Sequence, residues 1–545
     1  MPPSFPAIAA PIRLVVAILA FFALLNAPAR ALDLSQAQSD GALVAEALAL
    51  GEDGDWDAAQ QMVASADQLV RDIVLWRKLR AGDGSVGEYQ GYISRRGNWP
   101  GGEILAGVVY GRSSGGSGGG GLAGPAATNW QAFSKLWRGR DYEEAETFLL
   151  GITADANALG DPKVWAKRRV SLARRAARDG RWQSAYTLAA QHQMTPAAGY
   201  DYSDNEWVAG WVALRKLNDA EAAIGHFQRF RASVETPISI GRGGYWLGRA
   251  YEAAGQTAAA QRAYADGAQH QTSFYGQLAA AKINAPGDTR LTQGTLPDWR
   301  THPAMRTDDV RLAVVLYYAG QDRLAMATFS RLGQTLPAGA LAPLTRLVID
   351  LGQPHYSVRI AKRAARRGMV IHPAYYPLHE LHTYVTKVEP AFAMSIARQE
   401  TELNPVAVSR AGARGLMQLM PATARKVSGW IGEEYDRGRL LSDWRYNARL
   451  GETYLARRTE QFSGSYVMAA AAYNAGAGRV DQWVAAFGDP RTGQIEILDW
   501  MEQIPFNETR NYVQRVMEGL YIYRARLSGV AGPMTLEQDL RRGFR

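Results

Sequence analysis

Between residues 32 and 290 the chain repeats a pattern of two helical stretches joined by a short turn. Each turn is marked by Gly or Asn, followed within a few positions by Ala or an aromatic residue, as at Gly139, Gly180, Asn218 and Gly255. The spacings between these positions are 41, 38 and 37 residues, which suits paired helices that stack on one another. The pattern predicts an all-α fold that begins with an α-superhelix of stacked helical hairpins.

Few strand signals compete with this interpretation, and the breaks between helices suggest the domain organisation. A Gly/Ser tract at 113–124 predicts a flexible surface insertion within the superhelix. Pro-containing segments at 291–306 and 372–377 interrupt the helices. We therefore expect a helical linker at 291–370 and a second helical domain at 371–545. Four large aromatic residues are expected to fill the seams between hairpins rather than to form a site. They are Trp207, Trp211, Trp246 and Tyr251.

The first 31 residues have the pattern of a cleavable signal peptide. Arg13 precedes the apolar run Leu14–Leu25, which is too short to span a bilayer, and Ala29-Arg30-Ala31 provides a cleavage site before Leu32. An uncleaved anchor is the alternative, against which the small-x-small site argues. The chain contains no Cys, so it carries neither a disulfide nor a lipid-modified N-terminal Cys. A periplasmic location without a stable membrane anchor is predicted.

Length and charge narrow the classes of function. At 545 residues the chain is too long for a single core, so several domains are expected. Removing Arg13 and Arg30 with the leader lowers the net charge from +9 to +7, which favours binding to an anionic polymer. Nucleic acid fits poorly, because the chain is exported and contains no recognised nucleic-acid motif. No Cys or His cluster suggests a metal, and no cofactor is expected. The densest basic cluster is interpreted as a solvated helix face. It comprises Arg359, Lys362, Arg363, Arg366 and Arg367.

Glu400 is the candidate for acid chemistry. Phe392, Ile396 and Leu403 lie at helical spacings around it, so its carboxyl group should face partly buried hydrocarbon. Such surroundings disfavour the charged form and raise the pKa of a carboxyl group, which makes it an acid near neutral pH. A solvated helix residue is the usual alternative for a glutamate, but the dense motif that follows favours the acid.

A second carboxylate is usual in glycoside hydrolysis, and the sequence offers no clear one. Glu402 is two residues from Glu400, a rotation of about 200° on a helix, so it should point to the opposite face as a surface residue. Other carboxylates follow in the polar stretch 429–443, which is predicted to be a loop. Any of them could activate water, although charged loop residues are usually only solvated. They are Glu433, Glu434, Asp436 and Asp443.

Three separated motifs carry a family resemblance. They are the block from Glu400 to Pro421, the segment Ala472-Tyr473-Asn474-Ala475-Gly476, and the segment Ile504 to Val513. In order and spacing they resemble the lytic transglycosylases of bacterial cell walls, in particular the large soluble members, over roughly residues 385–525. The resemblance implies a goose-type lysozyme-like catalytic domain after a ring-like superhelix and a small helical linker.

The resemblance also implies a reaction that needs only one carboxyl group. Glu400 would protonate the glycosidic oxygen between N-acetylmuramic acid and N-acetylglucosamine, and would then take the proton of the muramoyl C6 hydroxyl. The product is a 1,6-anhydromuramoyl end. Peptidoglycan glycan strands would be the substrate, and other cell-wall enzymes are candidate partners. Two alternatives stay open, a muramidase that hydrolyses the same bond and a helical-repeat scaffold with an inactive enzyme domain.

Four loop residues are candidates for binding the sugar. Ser409 matches the family serine that hydrogen-bonds the N-acetyl group, and its alternative is a bond to the loop backbone. Gln418 offers an amide donor and acceptor to hydroxyl groups, while Met417 and Met420 offer soft apolar surface, although Met at helical spacing is more often core. Pro421 is expected to begin the next helix, where its missing N–H costs nothing.

Four residues of the later motifs complete the set. Tyr473 and Asn474 end a predicted helix, 466–475, that Gly476 caps. The resemblance puts Tyr473 near Glu400, where its phenol could orient the carboxyl group, and Asn474 beside the sugar; core packing is the alternative for Tyr473. Two further candidates, Glu508 and Tyr512, share a helix face. Glu508 would contact the saccharide or, after an Asn507 N-cap, only complement the helix dipole.

Overall fold

The computed structural model describes residues 32–110 and 122–544, and these residues are built from helices without a β-strand. The predicted signal peptide, 1–31, lies outside the described residues, as do positions 113–121 of the Gly/Ser tract. No helix in the described ranges is both long enough and apolar enough to cross a membrane. The predicted all-α fold class is confirmed.

The chain divides into two compact units. Of the described residues, one unit comprises 32–110 and 297–347, and the other comprises 122–296 and 348–544. The predicted boundaries near residues 290 and 370 stay predictions, since these units are defined by packing alone.

The smaller unit is a helical bundle in which α1 packs against α16. Arg311 of α16 forms ion pairs with Asp40 of α1 and with Asp67 at the start of α3. Gly41 permits the close approach, because an added Cβ would lie 2.5 Å from the Cβ of Tyr318. The helices are α1 (Leu34–Glu52), α2 (Trp56–Met62), α3 (Gln68–Ala81), α4 (Val86–Arg96), α5 (Gly102–Tyr110), α16 (Asp308–Tyr318), α17 (Asp322–Thr335) and α18 (Ala338–Asp350), the last of which crosses the boundary at residue 347.

The larger unit begins with the superhelical hairpins. The helices of this part are α6 (Gly124–Gly139), α7 (Tyr142–Ile152), α8 (Ala156–Leu159), α9 (Pro162–Arg178), α10 (Trp182–Ala190), α11 (Tyr200–Arg215), α12 (Ala220–Ala232), α13 (Pro237–Ala253), α14 (Thr257–Ala268) and α15 (Phe274–Lys282). Gly180, Asn218 and Gly255 take positive φ angles of 78°, 55° and 72° between paired helices, as their turn positions require. At the first predicted turn Gly139 ends α6 and Arg140 takes the left-handed conformation instead.

Aromatic side chains pack the interior of the superhelix, as the sequence predicts. Trp207, Trp211 and Trp246 are buried, whereas Tyr251 is only half-buried. The ring of Trp207 meets that of Trp246 edge-on, with the centroids 6.0 Å apart. Trp211 also reaches beyond the hairpins, because its indole N–H donates to Asp499 at 3.2 Å. The superhelix is thereby joined to the helices that follow residue 371.

Among the C-terminal helices, α22 packs against α29. The helices of this part are α19 (Pro354–Ala365), α20 (His372–Tyr375), α21 (Leu381–Tyr384), α22 (Pro390–Thr401), α23 (Pro421–Trp430), α24 (Arg439–Ser442), α25 (Trp444–Gln461), α26 (Tyr466–Ala475), α27 (Ala477–Phe487), α28 (Ile497–Gln503), α29 (Asn507–Ser528) and α30 (Leu536–Leu540). Short 3-10 turns occur at Pro196–Ala198, Thr289–Leu291, Trp299–Thr301, Pro303–Arg306 and Pro490–Thr492.

Several local predictions for this part can be compared with the structure. Pro421 does begin α23, and Gly476, with a φ of 88°, does end α26. Asn507 is the first residue of α29 rather than its N-cap, and its amide oxygen accepts from Arg510. The stretch 429–443, predicted to be a loop, contains the short helix α24 because Asp436 accepts from the N–H groups that lead into it.

Candidate active site

Glu400 lies in the last turn of α22 and is half-buried. The apolar residues predicted to surround it, Phe392, Ile396 and Leu403, are fully buried. Removal from water raises the pKa of the Glu400 carboxyl from 4.5 to about 7. A hydrogen bond from Tyr512 acts in the opposite direction, and the negative charge of Glu508 adds to the rise. Glu400 is therefore a carboxyl group that can hold its proton near neutral pH.

Tyr512 of α29 is the phenol that orients this carboxyl group. Its hydroxyl donates to Oε1 of Glu400 at 2.7 Å, although the two residues are 112 positions apart in the chain. Tyr473 does not make this contact, because its own hydroxyl donates to the backbone oxygen of Met417 at 2.8 Å. Burial, then the charge of Glu400, raises the pKa of Tyr473 well above 10. Tyr473 thus stays protonated near Glu400 and holds the adjoining loop.

The loop after α22 begins with two residues in the left-handed region. Glu402 and Leu403 have φ angles of 56° and 70°, and Gln418 near the end of the loop has a φ of 50°. Such backbone conformations are costly for residues other than glycine and gather at functional sites. Gly415 is required as glycine, because its φ is 78° and an added Cβ would lie 2.1 Å from the oxygen of Leu440.

Ser409 and Gln418, predicted to bind the sugar, form hydrogen bonds with the backbone of their own loop. Ser409 accepts a hydrogen bond from the N–H of Ala413 at 3.0 Å, which is the structural role weighed for it in the sequence. The amide nitrogen of Gln418 donates to the oxygens of Ala407 and Gly415, both at 3.0 Å. Each contact leaves lone pairs of the hydroxyl or amide oxygen for a ligand.

The two methionines of the loop differ in position. Met417 is fully buried, and its backbone N–H donates to Asn447 at 2.9 Å. Met420 is 42% exposed and precedes α23. Apolar surface for a ligand was predicted for both methionines. Only Met420 exposes such surface, whereas Met417 is a core residue in this structure.

Asn474 of α26 contacts the first turn of α29, which also carries Glu508. The side-chain oxygen of Asn474 accepts from the hydroxyl of Thr509 at 2.6 Å. Glu508 is exposed in the first turn of α29, and its charge acts on the pKa of Glu400. The structure thus brings Tyr512 and Glu508 of α29 to Glu400, and Asn474 to the first turn of the same helix.

Glu402 is not the free surface residue that the sequence predicts. Its two carboxylate oxygens lie 2.6 Å from the Nζ of Lys362 and 2.8 Å from the Nε of Arg359. These cations hold the pKa of Glu402 below its usual value despite partial burial. The basic cluster on α19 is correspondingly not only a solvated face. The ion pairs hold the end of α22 in the turn that follows Glu400.

Most of the carboxylates that the sequence offered as a possible water-activating base form ion pairs or hydrogen bonds within the protein. Glu433 forms an ion pair with Arg449. Asp436 and Asp443 accept backbone N–H groups that begin α24 and α25, respectively. Glu434 is exposed. Nor does the described part of the chain contain a group of three or more His, Cys, Asp or Glu residues that could hold a metal ion.

Two family models match parts of this region. Residues 381–495 match the Transglycosylase SLT domain, and residues 503–531 match the Soluble lytic transglycosylase helical domain. The SLT domain contains Glu400, the loop to Pro421 and the Tyr473–Asn474 pair, while Glu508 and Tyr512 belong to the second match.

Part of the chain is similar to curated proteins. The chain is 38% identical over 152 residues to a soluble lytic murein transglycosylase of Escherichia coli (strain K12) and to one of Salmonella typhimurium. It is 36% identical over 152 residues to a putative soluble lytic murein transglycosylase of Haemophilus influenzae. These alignments cover 28% of this chain and 23%, 23% and 25% of the three relatives. The chain thus spans about a quarter of the length of the curated relatives it matches.

A solved structure resembles the whole chain. An inactive mutant of the lytic transglycosylase Slt from Pseudomonas aeruginosa aligns with a TM-score of 0.55 and 21% identity, covering 96% of this chain and 86% of that one. The likeness extends beyond the SLT domain to the superhelix and supports a shared fold.

Sequence reasoning missed two contacts around the SLT domain. The hydroxyl of Thr401 donates to the oxygen of Leu416 at 2.8 Å and so ties the Gly-rich loop to α22. Arg398 lies buried over the ring of Tyr376, 3.9 Å from its centroid. The sequence shows the hydroxyl of Thr401 next to the candidate acid, so a contact from it to the loop could have been predicted. No local sequence pattern indicates that Arg398 would pack on Tyr376.

Proposed function

We propose that this protein is a peptidoglycan lytic transglycosylase. It would cleave the β-1,4 bond between N-acetylmuramic acid and N-acetylglucosamine and leave a 1,6-anhydromuramoyl end. The observation that carries the proposal is one half-buried carboxyl group, that of Glu400, whose pKa is raised to about 7 and which Tyr512 holds in one orientation. A group with this pKa is present in both protonation states near neutral pH, as a donor that later accepts requires.

The reaction then proceeds in two proton transfers. Protonated Glu400 gives its proton to the glycosidic oxygen as the bond from that oxygen to C1 of the muramoyl residue breaks. The electron pair leaves with the oxygen, and positive charge develops at C1, where the N-acetyl group of the substrate can stabilise it. Glu400, now a carboxylate, removes the proton of the C6 hydroxyl as that oxygen bonds to C1. Glu400 ends protonated, and no water enters the product.

The tyrosine contact has a defined role in this cycle. A donor at Oε1 stabilises the carboxylate that exists between the two transfers. It also leaves the other oxygen, Oε2, to face the substrate. Burial raises the pKa of Tyr512 well above 10, so the phenol keeps its proton throughout.

The substrate contacts proposed around Glu400 follow from the exposed polar and apolar atoms. Ser409 and Gln418 retain free acceptor sites, and Met420 presents an exposed thioether for the face of a sugar ring. Asn474 and Glu508 would take hydroxyl or amide groups on the α29 side. The structural uses of Ser409 and Gln418 support a loop whose shape is fixed before the sugar binds.

Product analysis tests the proposal. Purified protein is incubated with intact sacculi, and the released muropeptides are examined by mass spectrometry. Anhydro ends, lighter by one water than reducing ends, are expected from the wild type and from Glu434→Gln, and none from Glu400→Gln. Reducing ends from the wild type would refute the transglycosylase reaction in favour of hydrolysis. Absence of both products, with retained binding of cell-wall proteins, would favour a scaffold.

We further propose that the protein acts in the periplasm after cleavage before Leu32. The apolar run and the small residues at 29 and 31 carry this proposal. Cell fractionation followed by N-terminal sequencing is expected to find a soluble periplasmic form that begins at Leu32. A form that keeps residues 1–31 in the membrane fraction would contradict it.

A further inference from the structure

A buried carboxylate, Glu502, connects the superhelix to the helix that carries Tyr512. It is the penultimate residue of the short helix α28, and its side chain has no exposed surface. Arg174 of α9 donates to its Oε2 at 3.2 Å and to its backbone oxygen at 3.1 Å. Arg242 of α13 and Tyr275 of α15 donate to its Oε1 at 3.3 and 2.8 Å. Three superhelical helices therefore converge on this single side chain.

The same carboxylate also holds α29. The amide nitrogen of Gln514 donates to Oε1 at 3.1 Å, and the Nε of Arg510 lies 3.8 Å from Oε2. Arg510 and Gln514 are four residues apart and share a helix face, whereas Tyr512 between them is rotated by about 200° from each. Glu502 thus contacts α29 on the helix face opposite to Tyr512, in the same turn from which Tyr512 donates to Glu400.

The contacts of Glu502 with its neighbouring arginines depend on the negative charge of its carboxylate. Three arginines, Arg174, Arg242 and Arg510, lie around one negative group in surroundings with little water. Their charges hold the pKa of Glu502 at about 2 in spite of burial, which acts in the opposite direction. Burial and the like charge of Arg174 lower the pKa of Arg510 to about 9. Loss of the negative charge would leave two buried cations, Arg174 and Arg510, and the half-buried Arg242, all of which repel one another.

We propose that Glu502 is a positioning residue through which the superhelix fixes Tyr512 against the carboxyl group of Glu400. The superhelix then contributes to the reaction itself, in addition to any part it has in holding glycan strands. The inference rests on the proposed function for its kinetic consequences. The contact between Tyr512 and Glu400, however, exists independently of any substrate.

The test compares two neutralised carboxylates. Glu502→Gln removes the charge behind α29. Glu206→Gln is the matched control, because Glu206 is a buried carboxylate of α11 that contacts Arg229 and His226 within the superhelix and none of the residues of α29. Both variants should lose thermal stability. Only Glu502→Gln should affect the geometry at Glu400.

Three readouts separate positioning from stability. For Glu502→Gln we expect kcat to fall by about 10-fold to 100-fold, as for a small displacement of an aligned group, with KM changed by less than about two-fold. The alkaline limb of the pH–rate profile should move to higher pH, because Glu400 loses a donor that favours its charged form. Glu508 and Tyr473, the other titratable groups acting on this site, are unchanged by the substitution.

The third readout needs no activity. The carboxyl group of Glu400 is titrated by carbon NMR in protein labelled at glutamate carboxyl carbons, with Glu400→Gln used to assign the signal. Its titration should move to higher pH in Glu502→Gln and stay in place in Glu206→Gln. In the Tyr512→Phe background, Glu502→Gln should cause no further movement, because both act through the same contact.

The outcomes are distinguishable. Equal losses of stability in the two variants with unchanged kcat and unchanged Glu400 titration would overturn the proposal. If Glu502→Gln does not fold, Gln514→Leu removes one link to α29 without leaving a buried charge, and a smaller movement in the same direction is expected. An unmoved titration in Gln514→Leu would then overturn it. If the wild type releases no muropeptide, the proposed function fails, while the titration still decides on positioning.

Discussion

Replacing Glu400 by Gln should stabilise the folded protein at alkaline pH while abolishing its activity. The pKa of the Glu400 carboxyl is about 7 in the folded state against an ordinary value of 4.5. At about 1.4 kcal/mol for each pKa unit, ionising this group in the folded protein costs about 3 kcal/mol, or about 2 kcal/mol after allowance for its partial contact with solvent. Gln cannot ionise and avoids this cost.

The sign of the effect sets the pH window. Because the folded-state pKa lies above the unfolded-state value, the stabilisation from protonated Glu400 is complete below pH 4.5 and is lost as pH rises through about 7. Urea unfolding of the wild type and Glu400→Gln at pH 4 and pH 8 measures it. We expect Glu400→Gln to gain about 2–3 kcal/mol over the wild type between these two pH values.

Glu402, two residues along the chain, provides a control of opposite sign. Its pKa is lowered by Lys362 and Arg359, so its contribution is present above the ordinary pKa and is lost as pH falls through the folded-state value. Glu402→Gln should therefore destabilise the protein at pH 8 and less so in acid. A Glu400→Gln variant that is no more stable than the wild type at pH 8 would refute the assignment of Glu400 as a buried, weakly acidic group.

Three further predictions concern the site. Activity on peptidoglycan should fall as pH rises through about 7, since the first step needs protonated Glu400; a pH–rate profile that is flat from pH 6 to pH 8.5 would disagree. Tyr512→Phe should move this alkaline limb to higher pH because the carboxylate loses its donor, whereas Tyr473→Phe, whose lost hydroxyl donates to the loop backbone and not to Glu400, should not move it. Ser409→Ala should cost about 1 kcal/mol in urea unfolding through its lost loop contact, and a rise in KM at constant kcat would identify the sugar contact as well.

Much of the fold was accessible from the sequence because its signals are local. Turn residues at Gly180, Asn218 and Gly255 fix backbone conformations that few other residues adopt, and their spacing defines the hairpins. Pro421 and Gly476 mark a helix start and a helix end for the same reason. Such positions act on the chain's own dihedral angles, so their effect is independent of what packs against them.

The surroundings of Glu400 were partly accessible in the same way. Helical spacing alone places Phe392 and Ile396 beside it, and burial of these residues follows from their apolar side chains. The local sequence therefore predicts the direction of the pKa shift of Glu400, whereas its size also depends on burial by the whole fold and on Glu508. The residues that act on the Glu400 carboxyl group from a distance, Tyr512 and Glu508, could not be predicted as its partners, because no local sequence pattern indicates which distant side chain will lie beside it.

By itself, then, the sequence determined the helices, the turns, the candidate acid and the similarity of residues 381–495 to the SLT domain. Only the tertiary structure decided that Tyr512, and not Tyr473, donates to Glu400, and that Glu402 is bound by Lys362 and Arg359. The physical reason is one of range. A helix or turn is set by interactions within a few residues. A hydrogen bond between residues 112 positions apart forms only after the packing of the whole chain has brought Glu400 and Tyr512 together.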